Sequence, residues 1–275
     1  DITKLGVASN GIIDVSALES TLAARPADTG PFMLALQLAN NETGVIQPVH
    51  TVADMVHAAG GIMVVDAVQV AGRMPLDIGE LGADFLILSA HKMGGPKGAG
   101  ALVCKGEAFM PMSLVAGGGQ EKGHRGGTEN VAAIAGFGAA AEYALANPDA
   151  FAAVEEERDD LEGFMAGLAP DIIFHGDDAD RLPNTIYFSL PGLKAETAQI
   201  AFDMEGIAVS AGSACSSGKV GQSHVLAAMG ADADLGAIRA SLGPQTTPKD
   251  IELFFDAFAK INERRLTRLA AEEAA

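Results

Sequence analysis

The sequence is poor in aromatic residues, with no Trp, two Tyr and 12 Phe, or 5% of 275 residues. Basic residues are scarce too: 18 Lys and Arg stand against 36 Asp and Glu, a formal net charge of −18. A nucleic-acid-binding surface needs clustered Lys and Arg to displace counterions, so this balance argues against such a partner. It argues equally against a polybasic membrane anchor. The two cysteines, Cys104 and Cys215, are too few for a disulfide scaffold and suit a reducing cytoplasm. No apolar run reaches the roughly 20 residues of a membrane span. The opening Asp1-Ile2-Thr3 lacks both an initiating Met and the basic start and apolar run of a signal peptide. Neither H-E-x-x-H nor C-x-x-C occurs, so zinc has no ligand spacing to bind, and no G-x-S-x-G elbow supports serine hydrolysis. What the chain has in quantity is 48% hydrophobic residues and 33 Gly, enough for a sizeable core joined by many turns.

Short apolar runs alternate with helical stretches in the first half. Phe32–Leu36, Ile62–Val65, Phe85–Leu88 and Ala101–Cys104 read as strands, and Pro48–Ala59 reads as a helix that stops at Gly60-Gly61. Continuous apolar runs separated by helices predict strands buried on both faces, hence a mostly parallel sheet in an α/β domain. Ligands of such sheets collect at the carboxyl ends of the strands. Those ends carry Asn41, Asp66 and Gln69, and Ser89-Ala90-His91-Lys92. An Ala-rich helix over 130–146 follows, then Pro148-Asp149 and a charged helix through Glu155–Asp160. The domain boundary is placed near Asn147, giving domains of 1–147 and 148–275. The second is a smaller α+β domain, with strands at 184–188 and 207–209 and helices at 195–204, 223–229 and 248–260. The tail after Arg268 is expected to fray.

Four stretches carry chemistry. Lys92 follows a buried strand and precedes Gly94-Gly95-Pro96-Lys97-Gly98; partial desolvation there suits a lysine to Schiff-base chemistry. Lys97 is the candidate for an ordinary solvated lysine. Asp66, after four apolar residues, reads as a buried carboxylate that needs a cationic partner. A protonated pyridine nitrogen is one such partner, and a helix cap or salt bridge is the alternative. Cys215 sits among small residues in Ser210-Ala211-Gly212-Ser213-Ala214-Cys215-Ser216-Ser217-Gly218, a loop that leaves a thiol reachable, whereas Cys104 lies in an apolar strand and reads as packing. Gly117–Thr128 is a polar, glycine-rich loop whose Arg125, Thr128 and amides suit an anion such as phosphate. Gly136-Phe137-Gly138-Ala139-Ala140-Ala141 fits a dinucleotide pattern, but no strand precedes it.

These motifs, in this order, resemble the cysteine desulfurases, pyridoxal-phosphate enzymes of the class V aminotransferase group with fold type I. The resemblance rests on Asn40-Asn41-Glu42-Thr43-Gly44, Val65-Asp66-Ala67-Val68-Gln69, Ser89–Gly98, Gly118–Thr128 and Ser213-Ala214-Cys215, and runs from the first residues to about Lys260. The loop Ser210-Ala211-Gly212-Ser213-Ala214-Cys215, followed by Ser223-His224-Val225-Leu226, resembles the long-loop branch serving nitrogenase and general iron–sulfur assembly.

The resemblance implies a role for each residue. Lys92 would carry pyridoxal 5'-phosphate covalently, Asp66 would hold its pyridinium proton, and Gln69 would bond its phenolic oxygen with Asn41 nearby. Ser89 and His91 would bind the phosphate, joined by Thr128 from the other subunit of a homodimer. Arg239 would clamp the carboxylate of L-cysteine, with Asn184 a second substrate contact. Cys215 would take the sulfur as a persulfide and release alanine, then pass it to a sulfur-acceptor or iron–sulfur scaffold protein. A selenocysteine lyase shares cofactor and site. A chain that only dimerises or binds sulfur acceptors is a further reading. Family members carry an N-terminal stretch with a Gly/Thr phosphate turn and a histidine stacked on the cofactor; no residue of this chain matches it, so a fragment lacking that stretch is expected.

Overall fold

The computed structural model describes residues 2–26, 30–106, 110–212 and 222–274. They form two compact units, one of Val15–Ala39 and Gln47–Asp149, the other of Asp1–Asp14, Asn40–Ile46 and Ala150–Ala275. The short segment Asn40–Ile46 thus leaves the unit on either side of it and joins the other.

The first unit contains α1 (Val15–Ala23), β1 (Met33–Gln37), α2 (Val49–Ala58), β2 (Ile62–Asp66), β3 (Phe85–Ser89), β4 (Gly100–Cys104) and α3 (Val131–Ala146). The strands lie in the order β1-β2-β3-β4. The first three run parallel, in the registers Met33↔Ile62 and Val64↔Phe85, and β4 returns antiparallel with Phe85 opposite Cys104. This is the mostly parallel α/β sheet that the apolar runs predict. Helix α2 packs on one side with Val49, Val52, Ala53 and Val56 buried. On that same sheet face, Met63, Val65 and Leu86 are inaccessible or nearly so.

Burial on both faces is not what the structure has. Met33 is 65% exposed, Leu102 48% and Ile87 38%, all on the face opposite α2. Period-two alternation decides this, because neighbouring residues of a strand point to opposite sides. Gly136 is explained by contact rather than by nucleotide binding. A Cβ there would lie 2.8 Å from Pro96 Cδ, so the glycine lets α3 approach the 94–98 loop.

The second unit contains α4 (Ala152–Leu168), β5 (Ile173–Phe174), β6 (Thr185–Ser189), α5 (Ala195–Met204), β7 (Ser210–Ala211), α6 (His224–Ala228), β8 (Ile238–Ser241) and α7 (Pro248–Glu273). Its antiparallel sheet has the order β5-β6-β8-β7. Residues 207–209 are not a strand; pairing begins three residues later, at Ser210 opposite Arg239. The tail does not fray at Arg268, since α7 continues to Glu273. It starts with a capping box, Thr247 with Asp250, and Pro248 in its first turn. Phe188, Phe202, Phe254 and Phe258 form the aromatic centre of this core. Among the described residues no helix is long and apolar enough to cross a membrane.

Three arginines tie this unit together, each with its donors directed at acceptors. Arg265 is fully buried and meets Asp171 with two bonds of 2.8 and 2.6 Å, Pro191 O at 2.9 Å and Asn262 Oδ1 at 3.0 Å. Arg181 meets both oxygens of Glu162 at 2.7 and 2.8 Å. Arg158 bonds Leu182 O at 2.8 Å. Fork-on-carboxylate geometry of this kind orients as well as stabilises.

Buried His175 is a neutral pin in the same unit. Ser189 Oγ donates to Gly236 O (2.7 Å), so it accepts from His175 Nε2–H, also at 2.7 Å. Burial pushes the imidazole below its ordinary 6.5, with the Asp177 charge acting weakly the other way. The unfolded chain therefore takes a proton that the folded one resists, and stability falls as pH drops below 6.5. The urea midpoint should fall between about pH 7.5 and about pH 5.5 more steeply in the parent than in His175→Gln. Equal slopes in the two proteins would assign the titration to another group.

Candidate active site

The carboxyl ends of β2 and β3 bring one group of residues to a single sheet edge. Parallel pairing sets Asp66 beside Ile87, two residues before Ser89. Leu38 N donates to Asp66 O (2.8 Å) and Ala67 N to Ile87 O (3.1 Å), so all three parallel strands are still tied together where the polar residues begin. Asp66 is exposed, which corrects the expectation of a buried carboxylate. It is the last residue of β2, on the open face shared with Ile62 and Val64. Its Oδ1 accepts from Val68 N at 2.9 Å, a local Asx-type turn. Gln69 follows in that turn, half-buried, and its carbonyl accepts from the Arg73 guanidinium.

Beyond β3 the chain enters a 3₁₀ turn, Ala90–Lys92. Buried Ala90 is its pivot: Ala90 N donates to Ala99 O (3.1 Å), while Ala90 O accepts from Met93 N (3.1 Å) and Gly95 N (2.8 Å). Two glycines make this winding possible. A Cβ on Gly95 would lie 3.0 Å from Ala90 O, and one on Gly100 would lie 2.8 Å from Leu88 O. Ser89 Oγ and His91 Nδ1 are hydrogen-bonded at 2.9 Å. Lys92 is half-buried, and Lys97 is exposed. No hydrogen bond or ion pair holds the Lys92 amine among the described residues. The loop 117–128 holds Glu121 and Lys122 at φ +50° and +55°, a left-handed conformation costly for residues other than glycine. Arg125 turns inward to Gly127 O (2.6 Å), and Thr128 is exposed. Cys104 is half-buried in β4. Cys215 lies outside the described residues.

The second unit assembles another group. The Asn40–Gly44 turn is tied by Asn40 Oδ1, which accepts from Glu42 N (2.8 Å) and Thr43 N (3.0 Å), and by Gly44 N bonded to Asn40 O (3.0 Å). Gly44 has φ +77° and would bring a Cβ to 3.0 Å from Thr185 Cβ, so both backbone and space call for glycine. Arg239 on β8 donates through Nη1 to Asn41 O (2.5 Å) and through Nη2 to Ser210 Oγ (3.4 Å). Its Nε is buried with no hydrogen-bond partner. Asn184 is buried and donates to Leu242 O (3.3 Å), while Leu242 N donates to Asn184 O (3.0 Å), clamping β6 to the end of β8.

Three residues of this group were not singled out as site residues from sequence. Glu42, 2% exposed, accepts at Oε2 from Tyr187 Oη (2.8 Å) and Ser223 Oγ (2.5 Å). Burial first, and then the Glu42 charge, hold the Tyr187 phenol above its ordinary value, so it stays a proton donor. The available signal was an acidic residue inside an otherwise neutral Asn-rich turn. Its partners lie 145 and 181 residues away, and no spacing rule reaches so far.

The chain matches the Aminotransferase class-V family over residues 1–254, and it belongs to that family. It is 40% identical to a cysteine desulfurase of Cereibacter sphaeroides, over 99% of this chain and 69% of the relative. It is 38% identical to the cysteine desulfurase IscS of Dictyoglomus turgidum, over 97% of this chain and 67% of the relative. The solved NifS-like protein of Rickettsia africae matches with a TM-score of 0.85 and 34% identity, covering 94% of this chain and 69% of that one. Within the class V aminotransferases the chain is thus a member of the cysteine desulfurases, enzymes dependent on pyridoxal 5'-phosphate with the α/β architecture of fold type I. It spans about two thirds of the length of these relatives, 65% of a Nostoc cysteine desulfurase for instance.

The edge formed by β2 and β3 fits that cofactor by its donor set. It offers an exposed carboxylate with Oδ2 unengaged among the described residues, a hydroxyl–imidazole pair suited to phosphate, and an unpaired primary amine on one short turn. Its winding depends on Gly100, because the atom a Cβ would strike is backbone. Gly100→Ala is expected to cost about 1–3 kcal/mol, as overpacking does, and to weaken cofactor retention. Urea unfolding with and without added cofactor checks this; an unchanged midpoint would mean that β4 gives way freely.

Proposed function

We propose that this chain acts as a cysteine desulfurase, converting L-cysteine to L-alanine and carrying the released sulfur on Cys215 for iron–sulfur cluster assembly. The observation that carries the reading is the unpaired Lys92 amine on the turn that follows β3, with Asp66 at the end of the adjacent parallel strand. When bound, pyridoxal phosphate supplies an electron sink that makes the bonds around the amino acid's Cα and Cβ labile.

Each residue then has a task. Lys92 would hold the cofactor and would move the Cα proton of the substrate. Asp66 keeps a proton on the ring nitrogen, which strengthens the sink. Gln69 would donate to the ring oxygen, Asn41 would serve the same oxygen, and Ser89, His91 and Thr128 would hold the phosphate. Thr128 acts from the partner subunit of a homodimer. Arg239 takes the substrate carboxylate with its unengaged N–H groups, a fork that matches two oxygens. Asn184 serves by keeping the strand of Arg239 in register, its amide being bound to Leu242 O. On this reading residues 1–147 supply most of the cofactor-binding domain and 148–275 the smaller domain with the cysteine loop.

Sulfur transfer follows from thiolate chemistry. The Cys215 thiolate attacks the substrate sulfur, a sulfur–sulfur bond forms, and the carbon–sulfur pair of electrons stays with the substrate carbon. Protonation there gives alanine, so no external oxidant is needed. The persulfide passes to a sulfur-acceptor or scaffold protein. The low cysteine content supports a reducing cytoplasm as its compartment.

Purified protein supplied with pyridoxal phosphate and L-cysteine should yield alanine and, with a thiol reductant, sulfide. Cys215→Ser should lower sulfide release by about a hundredfold or more while keeping the visible absorbance of bound cofactor, and Lys92→Ala should lose both. Sulfide release by Cys215→Ser at the parent rate would overturn the persulfide step. A parent protein that shows cofactor absorbance but acts only on selenocysteine would favour a selenocysteine lyase.

A further inference from the structure

We infer that Glu42 is a positioning residue that fixes the Arg239 guanidinium for its ligand. The inference rests on the reading of Arg239 as the carboxylate clamp and adds the device that aims it. Arg239 is held from both sides by neighbours on its sheet. Tyr187 lies directly opposite it across β6 and β8, and Ser210 opposite it across β7 and β8. Directly opposed residues share a sheet face, so the guanidinium projects to the side where Tyr187 meets Glu42.

Its shortest anchor is the carbonyl of Asn41, at 2.5 Å from Nη1. That carbonyl belongs to the peptide immediately before Glu42 and moves with it. Both O–H donors meet the same oxygen of Glu42, from β6 at 2.8 Å and from Ser223 at 2.5 Å. Ser223 is fixed in turn, because its Oγ caps α6 by accepting from Leu226 N (3.1 Å). A buried carboxylate cannot drift without losing these bonds, since an unpaired charge in that place is costly. The turn is thereby clamped at Glu42 as well as by its own Asn40 bonds. The geometry leaves Nε–H, buried and unpartnered, among the N–H groups open to a ligand.

The network explains a choice of residue that packing alone does not. An apolar side chain at position 42 would fill the space but leave two hydroxyls buried without acceptors. Glutamine keeps an oxygen there. Glu42→Gln should therefore retain the positioning, and Glu42→Ala should lose it, which separates an anchoring role from a need for the negative charge.

The test uses the cofactor-loaded protein and compares two ligands, L-alanine and L-alaninamide, which lacks the carboxylate. By calorimetry, Glu42→Ala should weaken L-alanine about tenfold and L-alaninamide less than twofold, while Glu42→Gln stays within about twofold of the parent for both. In turnover, KM for L-cysteine should rise in Glu42→Ala with kcat little changed. Equal weakening of both ligands would overturn the inference, because it would mean that the unit has merely loosened. Arg239→Gln is the control: if it also fails to distinguish the ligands, the clamp reading falls and the inference with it. If Arg239→Gln distinguishes them and Glu42→Ala does not, only the positioning role falls. Should Glu42→Ala not fold, Tyr187→Phe removes one of the two anchors and should show the same selective loss, at about threefold. No selectivity in Tyr187→Phe would then overturn it.

Discussion

Parallel pairing of β2 with β3 is the constraint on which the proposed cofactor-binding edge depends. Parallel strands end on the same side of a sheet, so Asp66 and Ser89, separated by 22 residues of chain, come to one edge. The pairing does not stop at the polar residues: Ala67 N still reaches Ile87 O at 3.1 Å. Antiparallel β4 then closes the turn from the other side, with Gly100 opposite Ser89. Had β3 run the other way, Lys92 would fall at the opposite edge from Asp66, and no choice of side chains would repair that.

The residues of the proposed cofactor edge are legible in the sequence because they sit immediately after apolar runs, and a strand end is a local signal. Ser89, His91 and Lys92 needed only the run Phe85–Leu88 to be placed. What was not legible was burial. Asp66 follows four apolar residues and reads as buried, yet in the structure it is exposed, because the face it shares with Ile62 and Val64 is the one carrying exposed Met33, Ile87 and Leu102. A continuous apolar run cannot tell which of a strand's two faces is covered. The strand expected at 207–209 failed for a related reason. Ile207 and Val209 are apolar because they pack against the core of their unit, whereas Ser210, which pairs with Arg239, has no β-branched or aromatic side chain to announce a strand.

Long-range polar contacts were the other blind spot. Glu42 lies in an Asn-rich turn, and its neighbours Asn40 and Gly44 explain that turn by local rules. Its hydroxyl partners come from β6 and from the cap of α6, brought together only by the antiparallel sheet of the second unit. Tyr187, one of two tyrosines in the chain, shows how little composition says: its phenol carries β6 to that carboxylate. Sequence patterns report periodicity and caps, and they are silent about which buried donor meets which buried acceptor.

The cations of the chain divide by how fully their hydrogen-bonding capacity is used, and that division separates structure from chemistry. Arg265 spends its donors on Asp171, Pro191 and Asn262, and Arg181 closes on both oxygens of Glu162. Breaking such a site leaves buried partners unpaired, so these residues are held by the fold and offer nothing to a ligand. Lys92 and Arg239 are different. The Lys92 amine has no partner among the described residues, and the Arg239 Nε is buried yet unused. An unused buried donor lowers stability, and a fold tolerates it where a ligand supplies the missing acceptor. Asp66 is the anionic counterpart, with one oxygen turned to its own backbone and the other unengaged. For Lys92, Asp66 and Arg239, capacity left open within the fold is what a ligand would use, a physical criterion separate from the motifs that contain them.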